Sequence, residues 1–119
     1  MTQSQEDYLE MISFLSLEGE VRITDIAKRL GISKPAAFTA VKTLEEKALI
    51  THKRYSTVSL TGDGKKLAED ICKRHHMLTD FLHRILGVSS STAELDACKM
   101  EHVLSDETLI CMEKMLGSV

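Results

Sequence analysis

The sequence has few aromatic residues and little proline. Aromatic side chains make up 4% of the 119 residues, tryptophan is absent, and Pro35 is the one proline. No apolar run approaches the roughly 18 residues that a transmembrane helix needs. The first residues contain no basic region followed by an apolar one, so no secretion signal is predicted. These absences lead us to expect a cytoplasmic protein without a membrane partner.

Cysteine is also scarce, and its count is odd. Cys72, Cys98 and Cys111 cannot all pair within one chain. This favours a reducing compartment over a disulfide scaffold. The hydrophobic content of 43% and the charged content of 28% are ordinary for a globular protein. At this length we expect one modest hydrophobic core.

Charge is unevenly distributed along the chain. The net charge is −3, but residues 22–66 carry ten basic and four acidic side chains, a local charge of +6. The rest of the chain carries −9. A cationic middle predicts a surface for a polyanion, and the anionic remainder predicts a surface for cations. The alternative is that these charges are scattered and only solvate the surface.

Apolar periodicity and capping residues predict the order helix, helix, helix, hairpin, helix, helix, helix. The hairpin strands are predicted at 50–52 and 57–60. The fourth helix is expected to run to Gly87, and the fifth to about Leu104. The predicted fold is therefore mainly α with a small β-hairpin. The predicted helix caps are Ser4, Thr24, Ser33, Thr61, Ser89 and Ser105.

A short helix, a turn, a second helix and a hairpin form the winged helix-turn-helix pattern. The second helix of such a pair fits the major groove of B-DNA, and basic side chains neutralise phosphates. In this sequence that helix is predicted at 33–47. The alternative for Phe38 is that its ring packs in the core, and the alternative for Lys42 is that its charge only serves solubility. Some winged helices also bind proteins instead of DNA. The candidate DNA-binding residues are Ser33, Lys34, Pro35, Ala36, Phe38, Thr39, Lys42, Lys53, Arg54 and Tyr55.

A second set of residues has the chemistry of metal ligands. Cys98, Glu101 and His102 stand at helical spacings of three and four, so they are predicted to share one face. Carboxylates, imidazoles and one thiolate suit Mn²⁺ or Fe²⁺, and also Co²⁺, Ni²⁺ or Zn²⁺. A structural zinc site would more typically show closely paired cysteines. Taken one at a time, these residues have ordinary alternative roles. The cysteine could be a buried thiol, the acids could be solvated, and the histidines could be surface side chains. The candidate ligands are Asp7, Glu10, His75, Cys98, Glu101 and His102.

Several segments together resemble the diphtheria-toxin-repressor family, which includes manganese transport regulators and iron-dependent regulators. The most specific segment is Cys98–Asp106, with its Cys-x-x-Glu-His-x-x-Ser-Asp pattern. The resemblance implies a dimeric, metal-activated repressor. It assigns residues 1–62 to a winged-helix DNA-binding domain and residues 63–119 to a helical dimerisation and metal-binding domain. It also implies a short form without the SH3-like third domain. The other matching segments are 6–10, 25–30, 44–50, 60–64, 74–75 and 81–82.

The resemblance also divides the candidate metal site between two branches of the family. Cys98 falls where the manganese branch has a carboxylate and the iron branch has cysteine. The ancillary site of the iron branch looks compromised, because Thr79 and Glu94 stand where it uses a carboxylate and a histidine. Thr39 replaces a longer amide at a base-reading position, so no operator sequence is carried over. The residues that match manganese-branch ligands are Asp7, Glu10, His75, Glu101 and His102.

These observations predict a homodimer that binds operator DNA when Mn(II) or Fe(II) is bound. One alternative is a metal-independent regulator that senses oxidation through Cys98. A less favoured one is a small metalloenzyme, and another is a winged helix that binds only a protein partner. Dimerisation is expected to use apolar side chains of the last three helices, with a monomer core as the alternative role. They are Met77, Phe81, Ile85, Met112 and Met115.

Overall fold

The computed structural model describes residues 1–53 and 57–118, and it contains two compact units. The first is Met1–Glu69 and the second is Asp70–Val119. The chain passes from one to the other within a long helix, later than the boundary after Gly62 that the resemblance suggests. No helix within the described ranges is both long and apolar enough to cross a membrane.

The order of elements agrees with the predicted order and adds one short strand. The amino-terminal unit contains three helices, three strands and the beginning of α4. The carboxyl-terminal unit contains the rest of α4, a π-helical segment and two more helices. The elements are α1 Gln3–Ser16, β1 Val21–Arg22, α2 Ile23–Leu30, α3 Lys34–Glu46, β2 Ile50–His52, β3 Thr57–Leu60, α4 Gly62–Asp80, the π segment Phe81–Ile85, α5 Ser90–Met100 and α6 Asp106–Gly117.

Two of the predicted helix caps are wrong. Helix α1 begins earlier than expected: Thr2 is its N-cap and forms a reciprocal capping box with Gln5, so Ser4 lies inside the helix. Helix α2 begins before Thr24, because the carboxylate of Asp25 accepts the backbone N–H of Arg22 at 2.9 Å. That bond satisfies a helix-end donor without a hydroxyl at the cap.

Helix α3 begins as predicted. The Ser33 hydroxyl accepts the backbone N–H of Ala36 at 3.2 Å, and Pro35 lies in the first turn, where its missing N–H costs nothing. The preceding helix ends at Gly31, which has a φ of 66°. This left-handed conformation is one that glycine adopts without strain. The turn between the two helices is therefore fixed by Gly31 on one side and Ser33 on the other.

The sheet has three antiparallel strands in the order β1-β3-β2. The hairpin pairs Ile50 with Leu60 and His52 with Val58. Strand β1 lies on the other side of β3 and adds Val21 opposite Val58. The sheet closes one side of a core formed by buried aliphatic side chains. These are Leu9, Ile12, Val21, Ile23, Ile26, Val41, Leu44, Ile50 and Val58.

The start of α4 is anchored to the turn before β2. Thr61 caps the helix, since its hydroxyl accepts the backbone N–H of Gly64 at 3.0 Å and donates to the Ala48 carbonyl at 2.8 Å. A Cβ at Gly64 would overlap the carbonyl oxygen of Leu49, whereas one at Gly62 would meet nothing within 4 Å. The close approach of two backbone segments therefore requires glycine at position 64.

The carboxyl-terminal unit has a small core of Leu78, Ala97 and Leu109. Met77 and Met112, two of the expected dimer residues, are partly buried against this core, whereas Met115 is 54% exposed. Helix α5 ends at Met100, before the expected Leu104, because a turn follows and Ser105 then caps α6.

Candidate metal centre and nucleic-acid interface

The carboxylate of Glu101 lies at the centre of a buried polar cluster in the carboxyl-terminal unit. Its side chain is 1% exposed. One oxygen, Oε2, lies 2.9 Å from Nδ1 of His75, and the other, Oε1, lies 3.2 Å from Nε2 of His102. The imidazole of His102 is 0% exposed and that of His75 is 17% exposed. Both oxygens of one carboxylate therefore face an imidazole nitrogen.

Three elements position this cluster. His75 lies on α4, where the Thr79 hydroxyl donates to its carbonyl oxygen at 2.8 Å. Glu101 is the C-cap of α5, and His102 follows in the turn before α6. Ala97, one turn before Glu101, is fully buried, so the same face of α5 carries Glu101 into the interior. The cluster therefore lies where the end of α5 meets the side of α4.

The chemistry of the donors fits a divalent transition metal. A buried carboxylate is costly unless it is paired, and the two imidazoles provide that pairing in the absence of a metal. Imidazole and carboxylate are the ligand types that suit Mn²⁺, Fe²⁺ and their neighbours. Ion binding at Glu101, His75 and His102 would replace the present contacts among these side chains by coordination bonds.

Cys98 lies at the edge of the same cluster. Its side chain is exposed, and its Sγ is 3.8 Å from Nδ1 of His75. The thiol and Glu101 stand three residues apart at the end of α5, as the spacing predicts. The structure therefore brings together four of the six candidate ligands: His75, Cys98, Glu101 and His102.

The other two candidates lie in the amino-terminal unit. Asp7 and Glu10 are one turn apart on α1, with Asp7 exposed and Glu10 partly exposed. Their spacing places both carboxylates on one face of that helix. Across residues 1–53 and 57–118, no three or more His, Cys, Asp and Glu side chains are already arranged to hold a metal ion. The assignment of the ligand set stays a prediction.

The predicted DNA-reading face of α3 is exposed. Ala37, Val41 and Leu44 point into the core, and Phe38 is 47% exposed, so its core-packing alternative is not supported. The other predicted contacts on this helix are also exposed, as is Lys53 beyond β2. Arg54 and Tyr55 lie outside the described residues. The exposed set is Ser33, Lys34, Pro35, Ala36, Phe38, Thr39, Lys42 and Lys53.

One residue beside this face was missed by the sequence analysis. The imidazole of His52 packs against the ring of Phe38, with centroids 5.8 Å apart and an interplanar angle of 68°. The strand pattern contained a signal for it, because side chains alternate along β2. Ile50 is buried and Thr51 is exposed, so His52 returns to the face that packs on α3.

Comparison with known proteins gives two family matches. Residues 61–119 match the model for the iron dependent repressor metal binding and dimerisation domain, and residues 8–55 match the MarR family. The chain is 44% identical over 105 residues to the transcriptional regulator MntR of Escherichia coli O6:H1, covering 87% of this chain and 67% of the relative. It is 37% identical over 125 residues to an uncharacterised HTH-type transcriptional regulator of Methanocaldococcus jannaschii, with full coverage of both.

A solved structure gives the same result. A manganese-dependent transcriptional repressor in complex with manganese superposes with a TM-score of 0.81 and 29% identity, covering 95% of this chain. The present chain spans 52% of that protein.

The fold, the buried donor cluster and these similarities define a metal-dependent transcriptional regulator with a winged-helix domain. The chain belongs to the diphtheria-toxin-repressor family. Its relatives are regulators of transcription and not enzymes, which removes the metalloenzyme alternative. Metal dependence in the family also disfavours a purely redox-sensing regulator.

Proposed function

We propose that this chain is a homodimeric repressor that binds operator DNA when Mn(II) or Fe(II) is bound. The observation that carries this proposal is the Glu101 cluster, in which a carboxylate with 1% exposure is held between two imidazoles. A buried ionic cluster is weak evidence for stability, because well-packed apolar residues often serve as well. A ligand role gives a physical reason for placing these groups in a small core.

The proposed ligand set joins His75, Cys98, Glu101 and His102 of the carboxyl-terminal unit to Asp7 and Glu10 of α1. Two observations support it: the donor types suit a divalent first-row ion, and the relatives include a repressor solved with manganese. The carboxylates favour manganese, whereas the Cys98 thiol favours iron. We therefore propose either ion as the physiological activator.

Metal activation requires that the ion bind more tightly to the DNA-competent state than to the other state. Asp7, Glu10 and Glu101 would contribute carboxylates to hold the dication, whose positive charge would offset theirs. Without it, Asp7 and Glu10 repel each other across one turn of α1. The expected coupling between metal and DNA binding is about 1–3 kcal/mol, which corresponds to about 5- to 150-fold in affinity.

The DNA contacts are proposed to come from α3 and the hairpin. The exposed first turn of α3 would enter the major groove, and Lys34, Lys42 and Lys53 would neutralise phosphates. A two-fold dimer would place two copies of α3 at half-sites about 34 Å apart, or at multiples of that distance.

The dimer proposal is supported by large apolar side chains on the surface of the carboxyl-terminal unit. Their exposure is between 51% and 71%, and a separate soluble unit of this size gains nothing from such exposure. Residues 61–119 match a domain described as metal binding and dimerisation. The exposed apolar residues are Leu86, Leu95, Val103, Ile110 and Met115.

An anaerobic metal titration tests the proposal. Operator affinity and bound metal are measured on the same samples as MnCl₂ or ferrous salt is added, with EDTA-treated protein as the starting point. We expect affinity to rise in step with metal occupancy. An operator affinity that EDTA leaves unchanged would contradict metal activation.

A further inference from the structure

We propose that His52 is a positioning residue for sequence recognition: its ring holds Phe38 of α3 against the thymine methyl groups of the operator. This inference rests on the proposed DNA-binding function. Phe38 is 47% exposed on the groove-facing side of α3, and an apolar ring there can contact the C5-methyl of thymine. The imidazole of His52 meets that ring in an edge-to-face arrangement.

The backbone of His52 is held independently of its side chain. Its N–H lies 3.2 Å from Oε2 of Glu45, to which it donates, and the residue pairs with Val58 in the sheet. The end of β2 therefore keeps its place when the imidazole is removed. The side chain can be altered without removing the strand that carries it.

Within the described part of the chain, the imidazole of His52 is held by ring packing. Its Nε2 atom is buried, and no hydrogen-bond partner for it exists among residues 1–53 and 57–118. A buried polar nitrogen without a partner carries a desolvation cost, so a hydrogen bond from this atom does not explain the position of the ring. What the ring does contact is Phe38, at a centroid distance of 5.8 Å.

This contact matters because Phe38 would otherwise be free to rotate. An exposed side chain with several rotamers loses conformational entropy when it docks on a base. Edge-to-face packing on His52 restricts Phe38 before DNA binds, and such ring pairs contribute beyond their buried area. His52 thereby acts on recognition through Phe38 without touching a base.

The experiment uses duplexes selected from a random-sequence pool by the full chain with MnCl₂ present. Affinity is then measured for each selected duplex and for versions in which single thymines are replaced by deoxyuridine, which lacks the methyl group. The proteins are the wild type, Phe38→Ala, His52→Ala, His52→Phe and Thr51→Ala. Thr51 is the matched control, because it is the exposed neighbour on the same strand. Thermal unfolding of every variant reports on folding.

For the wild type we expect about fourfold weaker binding when a contacted thymine loses its methyl group, from the transfer free energy of one such group. In Phe38→Ala the two duplexes should bind equally well, and in His52→Ala the loss of the methyl group should weaken binding by less than about twofold. His52→Phe should retain it because the ring is preserved, and Thr51→Ala should leave it unchanged. The rescue by phenylalanine separates ring packing from any hydrogen bond made by histidine.

Full thymine discrimination in His52→Ala would overturn the inference, as would a His52→Phe variant that behaves like His52→Ala. Selected duplexes that show no methyl dependence with the wild type would also overturn it. If no duplex is enriched at all, the DNA-binding function itself fails, and the inference falls with it. The two failures are thus distinguished by the selection step.

Discussion

Replacing Glu101 by glutamine should abolish metal activation while the fold remains. The substitution keeps the size of the side chain and removes its negative charge. In the wild type the two carboxylate oxygens lie 2.9 Å and 3.2 Å from imidazole nitrogens of His75 and His102. An amide has one oxygen and one N–H₂ group, so it can accept at one of these positions but not at both.

The expected magnitudes follow from this geometry. One buried polar contact that is left unsatisfied costs about 1–3 kcal/mol. For a chain of this size that corresponds to a melting temperature lower by about 4 °C per kcal/mol. Metal affinity should fall by more than about 100-fold, since even outer-shell substitutions cost about 10- to 100-fold. The ratio of operator affinity with and without Mn²⁺ should drop from about 5- to 150-fold to about one.

The assay measures operator affinity by fluorescence anisotropy in EDTA and in excess MnCl₂, together with thermal unfolding of the metal-free protein. Glu107→Gln is the matched control, because Glu107 is an exposed acid in the first turn of α6 and the charge change is identical. A Glu101→Gln protein that keeps the wild-type activation ratio would refute the reasoning. It would show that the cluster is a structural pairing and not a metal centre.

Three further outcomes follow from other parts of the chain. Gly64→Ala should lower the free energy of unfolding by more than about 2 kcal/mol, because the new Cβ meets a backbone carbonyl. Gly62→Ala should not lower it by more than about 1 kcal/mol, since a Cβ there meets nothing. Denaturant unfolding of both variants tests this difference. Lys42→Ala should weaken binding to all duplexes and reduce the salt slope of log affinity by about 1, whereas Lys114→Ala on α6 should leave the slope unchanged. Sedimentation of the metal-free chain should show a dimer, and Met115→Lys should weaken it without changing the free energy of unfolding. A dimer that the substitution leaves unchanged would place the interface elsewhere.

Four helix starts were predictable from a hydroxyl that precedes a helical pattern. Ser33, Thr61, Ser89 and Ser105 all cap as expected. The same signal failed at Thr24, because the Asp25 carboxylate caps the backbone N–H of Arg22 instead. Prediction also failed at α1, where a hydroxyl stands three residues before a polar side chain at both Thr2 and Ser4, and the structure uses Thr2. Either spacing is compatible with a helix start, so local sequence alone cannot choose between them.

Two features of the fold carry too little local signal to be predicted. Strand β1 has only two residues, Val21 and Arg22, and it exists because β3 offers an open edge to pair with. The π segment Phe81–Ile85 directly continues α4, so local propensity does not separate it from an ordinary helix. Both are set by tertiary packing and not by the residues that form them.

The helical spacing that groups the candidate ligands on α5 holds only in part, because the helix is shorter than predicted. The spacing of Cys98, Glu101 and His102 assumed a helix through about residue 104, yet α5 ends at Met100. The spacing still holds for Glu101 because this C-cap residue keeps helical angles, with φ −59° and ψ −22°.

A stronger signal lies in the inner face of the same helix. Ala93 and Ala97 are fully buried, and Glu101 continues their line at the next interval of four residues. A carboxylate that extends a stripe of small apolar residues into a core must be compensated there, since an uncompensated buried charge is strongly destabilising. Its partner His75 is 26 residues away, so the compensation depends on the fold and not on local spacing. The sequence therefore indicates that a buried charge needs a partner, and the packing of α4 against α5 determines which imidazole provides it.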